Sequence, residues 1–188
     1  MPGKGLQPVS PAFEAEALQA IDSLYRTALR LTRDAADAED LVQDTYLKAF
    51  RAAATFRPGT NLRAWLFTIL HNTARNRRRD HARQAVEVDS QLVEQAAEFG
   101  GSGATSQFET PETIMIRDAL APELQGAIDD LPDAFRQAVW LRDVEEFTYG
   151  EIAQMLSIPI GTVMSRISRG RRALYQRLMK GESAAVAS

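Results

Sequence analysis

The sequence predicts an all-α protein with two small helical domains joined by a flexible acidic linker, the C-terminal domain containing a helix-turn-helix. Apolar residues recur three and four positions apart in both halves of the chain, and no segment has the apolar–polar alternation of a strand. Residues 100–106 (GGSGATS) have the composition of a flexible tether. The predicted domains are residues 1–84 and 111–180, with the linker over 85–110 and a frayed tail over 181–188.

Three helices are predicted in the first domain. The first spans residues 13–31 as one continuous helix. The second begins after Asp34, an N-cap residue type, and the third begins after the turn-rich loop 56–61, where Thr60 or Asn61 can serve as the cap. The predicted inward residues of the three helices are Phe13, Ala17, Leu18, Ile21, Leu24, Tyr25, Ala28 and Leu29; Leu41, Val42, Thr45, Ala49 and Phe50; Leu62, Trp65, Leu66, Ile69 and Leu70.

The second domain resumes with helical patterning over residues 111–131 and again after Pro132. A short helix is predicted to begin near Thr148, followed by a break over 157–161 that contains a proline and a glycine. A second amphipathic helix follows, with Val163, Ile167 and Leu174 inward and its arginines mostly outward. This arrangement predicts a helix-turn-helix whose second helix enters the DNA major groove. An ordinary helical hairpin with a solvated basic face is the structural alternative.

Charge is segregated along the chain, although the net charge is only −3. Residues 84–133 carry eleven acidic residues and a single basic one, Arg117. Residues 71–83 contain five arginines and one aspartate, and residues 161–180 contain six basic residues and no acidic one. Because phosphates are neutralised locally, the two basic segments favour nucleic-acid binding despite the total.

The composition excludes several classes of function. With no cysteine, the chain has no disulfide, no thiolate nucleophile and no cysteine-based zinc site. No apolar run is long enough for membrane insertion, and the N-terminus lacks the apolar core of a secretory signal, so a cytoplasmic location is expected. His71 and His81 project about 80° apart without paired carboxylates nearby. We therefore predict a protein that is not an enzyme, with no catalytic residues, metal site or cofactor.

Two further clusters lie on the predicted helices of the first domain. Asp40, Gln43, Asp44 and Lys48 share one side of the second helix, and on spacing alone a solvated polar face is the favoured explanation. Asn72 lies just beyond the apolar part of the third helix, and the arginines that follow can bind phosphate while the amide reads a base edge. Those arginines are Arg75, Arg77, Arg78 and Arg79.

These segments resemble the extracytoplasmic-function subfamily of bacterial RNA polymerase sigma factors. Residues 40–46 (DLVQDTY) resemble the subfamily's core-binding segment. Residues 61–67 (NLRAWLF) and 72–76 (NTARN) resemble its promoter −10 segment, and residues 147–153 (FTYGEIA) with 161–166 (GTVMSR) resemble its −35 helix-turn-helix. Together with their surroundings, the matching segments span most of the chain.

The resemblance implies partners and residue roles. The partners are core RNA polymerase (the clamp helices of its largest subunit and the flap of its second-largest subunit), promoter DNA and an anti-sigma factor. The implied polymerase-binding residues are Asp40, Gln43, Asp44 and Lys48. The implied −10 residues, which hold a flipped base and the opening strands, are Phe56, Asn61, Asn72, Arg75, Arg77, Arg78 and Arg79. The implied −35 residues are Ser165, Arg166, Ser168, Arg169, Arg171 and Arg172, the last two nearer the phosphates. The acidic linker is expected to follow the polymerase's RNA exit path.

Three points remain open at this level. Met164 stands where many members of the subfamily carry a basic residue, so readout at that position is apolar or absent. Trp65 is in register with apolar neighbours and is interpreted as core, which leaves Phe56 as the better base-stacking candidate. A stand-alone helix-turn-helix regulator is the main alternative function, but it gives no reason for the segment 40–46.

Overall fold

The computed structural model describes residues 10–92 and 122–186, and within these ranges the regular structure is helical, without strands. The helices are α1 (Pro11–Leu18), α2 (Ile21–Thr32), α3 (Ala35–Arg51), α4 (Leu62–Leu92), α5 (Pro122–Asp129), α6 (Asp133–Val139), α7 (Tyr149–Leu156) and α8 (Ile160–Val186). A 3₁₀ turn (Ala53–Thr55) follows α3 and a π-helical turn (Trp140–Val144) follows α6. The chain divides into an N-terminal unit, Met1–Phe108, and a C-terminal unit, Glu109–Ser188. The all-α fold class is confirmed.

The first predicted helix is in fact two helices. The amide of Ala20 donates to the carbonyl of Ala17, three residues earlier, at 3.1 Å, as in a 3₁₀ turn rather than an α-helix. The α-helical pattern resumes in α2, where the amide of Leu24 donates to the carbonyl of Ala20. The break turns two predicted core residues outward, so that Leu18 is 48% exposed and Ile21 is 40% exposed. The prediction of one continuous helix with both residues inward is therefore wrong.

The core of the N-terminal unit lies where α2 packs on α3 and α3 packs on α4. The carboxylate of Asp34 caps α3 by accepting from the amide of Asp37, and Asn61 caps α4 by accepting from the amide of Ala64, each at 3.0 Å. The Thr60 hydroxyl donates instead to a carbonyl, so of the two predicted caps Asn61 is the one used. The fully buried large side chains are Leu24, Leu41, Leu62, Leu66, Phe67 and Leu70.

Tyr46 ties α3 to α1. Its hydroxyl donates to the carbonyl of Ala17 at 2.6 Å. Burial, together with the negative charge of Asp22, raises the pKa of Tyr46 to about 12. The phenol therefore stays protonated and remains a donor across the physiological range.

In the C-terminal unit, α8 packs against α5, α6 and α7. Thr148 and Glu151 form a reciprocal capping box that starts α7, and Ser157, in the left-handed conformation, ends it. The inter-helix turn is shorter than the predicted break over 157–161, because α8 already begins at Ile160. At Gly170 a Cβ atom would stand 2.5 Å from a methyl group of Val139, so the absence of a side chain lets α6 and α8 approach closely.

The helix ends differ from two predicted boundaries. Helix α4 continues to Leu92, through the first eight residues of the predicted linker, and α8 continues to Val186 through most of the predicted tail. The predicted linker and the predicted tail therefore both begin within helical residues, and the flexibility expected of these two segments stays a prediction. The rest of the predicted linker, residues 93–110, and the segment 111–121 lie outside the described residues.

Candidate polymerase and nucleic-acid interfaces

The predicted polymerase-binding residues share one face of α3. Asp40, Gln43 and Lys48 are exposed, and Asp44 is half-buried at the edge toward α4. Sequence reasoning missed a fifth member, Leu47, which at 100° per residue lies in the middle of this face and is 48% exposed. The available signal was an apolar residue outside the inward-facing stripe of α3. A central apolar side chain with a polar rim is the usual composition of a protein interface.

Three hydrogen bonds join this face to α4. The guanidinium of Arg77 pairs with the carboxylate of Asp44 at 2.5 Å, and the same nitrogen donates to the backbone carbonyl of Asp40 at 3.1 Å. The ammonium of Lys48 donates to the hydroxyl of Thr73 at 3.1 Å. The contact residues are four apart on each helix, in opposite order, as antiparallel packing requires. We refer to the pairs Asp44–Arg77 and Lys48–Thr73 as the α3–α4 ladder.

The ladder connects residues that the sequence had assigned to separate sites. Asp44 and Lys48 were predicted to bind polymerase, whereas Arg77 was predicted to hold DNA strands. Their pairing depends on the packing of α3 against α4, because Asp44 and Arg77 are 33 positions apart in the sequence. The structure therefore brings one predicted polymerase residue and one predicted DNA residue into direct contact.

The remaining predicted −10 residues of α4 lie on both sides of the ladder. Arg75, Arg78 and Arg79 are exposed, and the guanidinium of Arg75 donates to the half-buried amide oxygen of Asn72, one helical turn earlier. His71 is buried beside them, and its Nε2 atom has no hydrogen-bond partner. Burial, together with the positive charge of Arg75, lowers the pKa of His71 to about 4. His71 is therefore a neutral core residue rather than a phosphate ligand at neutral pH.

Phe56 and Trp65 belong to one aromatic cluster. The centroids of their rings are 5.4 Å apart, and the ring of Phe13 on α1 is 5.6 Å from that of Phe56 and 6.1 Å from that of Trp65. All three side chains are half-buried. The contrast between a core Trp65 and a loop Phe56 is therefore not seen, because both rings pack together and both keep partly accessible faces.

The predicted −35 residues divide into a central face and two flanks of α8. Ser165, Ser168, Arg169 and Arg172 are exposed and lie opposite the buried stripe of Val163 and Ile167. Arg166, on one flank, is half-buried. The central face, which we call the α8 face, consists of two hydroxyls and two guanidiniums.

On the other flank, Arg171 is held by the C-terminal unit itself. Its guanidinium makes two hydrogen bonds to the carboxylate of Asp143 on the π-helical turn, one of them at 3.0 Å, and this pairing raises the pKa of Arg171. The adjacent Arg142 donates to the carbonyl of Phe147 at 2.9 Å and lies over the ring of Tyr149 at 5.0 Å. The turn therefore contacts both the start of α7 and the middle of α8.

Comparison with known proteins decides the family. Sigma-70 region 2 matches residues 19–84 and sigma-70 region 4 matches residues 122–174. The chain is 34% identical to the RNA polymerase sigma-H factor of Pseudomonas aeruginosa over 89% of its own length and 86% of that protein. It belongs to the extracytoplasmic-function sigma factors. A second relative, the factor SigE of Mycolicibacterium smegmatis, is 37% identical over 95% of this chain and 66% of its own length.

A solved structure of this class supports the fold. The sigma factor RpoE from Bartonella quintana, determined in complex with the anti-sigma factor NepR, matches 90% of this chain and 98% of its own with a TM-score of 0.67 and 29% identity. The recognition of an extracytoplasmic-function sigma factor from the motifs is therefore confirmed, and the protein is a factor for transcription initiation.

The two regions of this sigma factor coincide with the two units of the structure. The region 2 match begins at residue 19, just after the end of α1, so α1, which packs on α4, lies outside the matched residues. The region 4 match ends at residue 174, twelve residues before the end of α8. Across residues 10–92 and 122–186, no helix is both long and apolar enough to cross a membrane. The same ranges contain no group of side chains arranged to hold a metal ion.

Proposed function

We propose that this sigma factor binds core RNA polymerase through the exposed face of α3 and directs initiation by reading two promoter elements with different surfaces. The α8 face would read the −35 element as duplex DNA. The end of the α4 apolar segment and the loop before α4 would hold the −10 element after the strands separate. Because bacterial polymerase acts on DNA in the cytoplasm, the proposal implies a cytoplasmic location.

The α8 face carries the proposal. Arg169 and Arg172 project from a helix that has no acidic residue between positions 161 and 180, and Ser165 and Ser168 lie on the same face. Arginine pairs with guanine edges and with phosphates, and a helix of this exposure suits the major groove. Arg166 would contribute from the flank. Because Arg171 is paired with Asp143, we propose that it helps to orient α8, in addition to any contact with phosphate.

The −10 proposal rests on the end of α4 and on the aromatic cluster. Asn72 presents an amide beside the exposed Arg75, Arg78 and Arg79, which suits a base edge flanked by phosphates. Phe56 has a partly accessible ring on which an extruded base can stack, and Asn61 lies in the same loop while capping α4. Capture of a flipped base would offset the few kcal/mol that unstacking costs.

Two partners complete the proposal. The polymerase contact would use Asp40, Gln43, Asp44 and Lys48 around Leu47 on the clamp helices of the largest subunit, and the C-terminal unit would meet the flap of the second-largest. An anti-sigma factor would hold the free protein inactive, as the complex of the 29% identical Bartonella RpoE with NepR suggests. The acidic residues of 85–110 would follow the RNA exit path.

Run-off transcription with core polymerase on a randomised promoter library tests the whole proposal. We expect transcripts only from templates with one −35 and one −10 sequence, and Asn72→Ala should relax the −10 preference while leaving −35 selection unchanged. If the chain is instead a stand-alone helix-turn-helix regulator, it should bind duplex DNA but should neither capture core polymerase in a pull-down nor give templated transcripts. A pull-down with no polymerase would therefore favour that alternative.

A further inference from the structure

We propose that Asp44 is an internal counter-ion that withholds Arg77 from nucleic acid until polymerase takes the Asp44 carboxylate. This inference rests on the proposed function, in which the α3 face binds polymerase and the α4 arginines bind DNA strands. It concerns how the two binding events are linked within the N-terminal unit.

The geometry of the ladder supports a mutually exclusive use of both groups. One nitrogen of Arg77 bonds both the Asp44 carboxylate, at 2.5 Å, and the Asp40 carbonyl, at 3.1 Å. A guanidinium turned toward α3 in this way cannot direct the same nitrogen to a phosphate oxygen. Likewise, the charge of the Asp44 carboxylate is already compensated by Arg77, so a basic group of a docking partner has to compete with Arg77 for it.

The pair is accessible enough to exchange. The side chain of Arg77 is 33% exposed and that of Asp44 is 42% exposed. Exposed ion pairs contribute only about 0–1 kcal/mol, so replacing each partner by an intermolecular one costs little. A buried pair would instead have to leave an uncompensated charge behind. The Asp44–Arg77 pair is therefore suited to a switch between partners and poorly suited to a structural lock.

Linkage makes the effect reciprocal. If polymerase binding at Asp44 frees Arg77 and thereby strengthens strand binding, then strand binding at Arg77 must strengthen polymerase binding by the same factor. The free factor would thus have one fewer strand contact than the polymerase-bound factor.

The test measures binding of the free full-length chain to a short fluorescein-labelled single-stranded oligonucleotide over a range of salt concentrations. Asp44→Asn should tighten binding by about threefold, the effect of releasing one exposed ion pair. Its plot of log affinity against log salt should steepen by roughly 0.7, the value for one additional single-strand phosphate contact. Arg77→Gln should weaken binding less in the wild-type chain than in the Asp44→Asn chain, because Arg77 is withheld by Asp44 only in the former.

Asp40→Asn is the matched control. It removes the same charge one turn away on the same face, while the Asp40 contact with Arg77 uses the backbone carbonyl and is retained. Asp44→Asn combined with Arg77→Gln should bind like Arg77→Gln alone. Equal tightening by Asp40→Asn and Asp44→Asn would overturn the inference, because net charge would then explain both. So would tightening that survives in the double variant.

Gln43→Ala separates this inference from the proposed function. Gln43 is exposed on the same face of α3, and a loss of polymerase affinity in this variant supports docking there. If Gln43→Ala weakens polymerase binding and Asp44→Asn leaves strand binding unchanged, the counter-ion inference fails while the proposed function stands. If Gln43→Ala has no effect on polymerase binding, the docking face itself is wrong.

Discussion

Residues 71–83 of α4 contain five arginines, and the described side chains of α8 also include five. The two sets differ in which arginines pair with other side chains of the protein. In α4, Arg77 pairs with Asp44 and Arg75 with Asn72, near the centre of the proposed strand-binding surface. In α8, ion pairs hold Arg171 on the flank and Arg177 farther along the helix, which leaves the α8 face clear of acids.

The difference matches the two kinds of DNA that the surfaces are proposed to meet. Duplex DNA presents its groove without any prior step, so a surface that reads it can be fully formed in the free protein. Separated strands appear only after polymerase and promoter have come together, so pairing Arg77 with Asp44 until then would remove one unproductive contact with nucleic acid. The following predictions test this contrast, from the largest expected effect to the smallest.

The largest expected effect comes from the close packing of α8 against α6 at Gly170, which positions the α8 face. Gly170→Val should destabilise the C-terminal unit by about 3 kcal/mol, since the new side chain overpacks the buried Val139. Chemical denaturation followed by circular dichroism measures the loss, and −35 duplex binding should fall with it. Gly161→Val is the control, because a Cβ atom there meets nothing within 4 Å. Equal destabilisation by the two variants would contradict the packing argument.

The second prediction compares two arginines of the same helix. Arg169→Ala should weaken −35 duplex binding by about 2 kcal/mol, the cost of a lost base contact. Arg171→Ala should weaken it less, because Arg171 is engaged by Asp143. Fluorescence anisotropy on duplexes of varied sequence measures both variants. If Arg171→Ala relaxes sequence preference more than Arg169→Ala does, the assignment of the α8 face is wrong.

The third prediction concerns the α3 face. Gln43→Ala combined with Leu47→Ala should reduce affinity for core polymerase by about tenfold or more, roughly 1.4 kcal/mol, through loss of its apolar centre and a rim contact. Stability of the N-terminal unit should change by only about 0.5 kcal/mol, because both side chains are exposed. Leu18→Ala, an exposed leucine outside this face, provides the control. A reduction of the same size in Leu18→Ala would indicate that the contact lies elsewhere.

The smallest expected effect is a pH dependence of stability that His71 gives to the N-terminal unit. Both histidines of the chain lie in the N-terminal unit. Because the pKa of His71 falls from 6.5 to about 4 on folding, the unfolded chain takes up a proton first as the pH drops. The contribution of His71 to stability is full above pH 6.5 and declines down to about pH 4, with about 1 kcal/mol lost between pH 6.5 and 5.5.

The measurement is denaturation of the N-terminal unit across this pH range. His71→Leu should flatten the dependence even if it lowers stability overall. A pH dependence that survives unchanged in this variant would assign the titration to other groups.

Local signals in the sequence predicted much of the fold. Asp34 and Thr148 carry their capping chemistry in the residue type and in the first turn that follows, so these helix starts were predictable. The break between α1 and α2 was not, because Gln19 and Ala20 are compatible with a helix and only packing turns the chain there. The end of α8 at Val186 was not predicted either, because the tail from residue 181 has no sequence feature that marks the last turn of a helix.

The candidate sites were predictable as sets of residues but not as contacts. Helical spacing alone gathered Asp40, Gln43, Asp44 and Lys48 on one face, and charge alone marked the arginines of α4 and α8. The pairing of Asp44 with Arg77 and of Arg171 with Asp143 requires knowledge of which helices pack together and at what depth. Leu47 was missed because an apolar residue on a polar helix face was not treated as an interface signal.

The crossing at Gly170 also sets a mechanical condition on promoter reading. Helix α8 is continuous through this point, and Ile160 at its start lies ten residues away, about 15 Å along the axis. Treated as a rigid lever pivoting at Gly170, a tilt of about 5° would move that end by about 1.3 Å and Ser165 by about half as much. Hydrogen bonds to bases tolerate only about 0.5 Å. The packing of Gly170 against Val139, which faces away from the DNA, would thus fix the angle at which every side chain of the α8 face meets the groove.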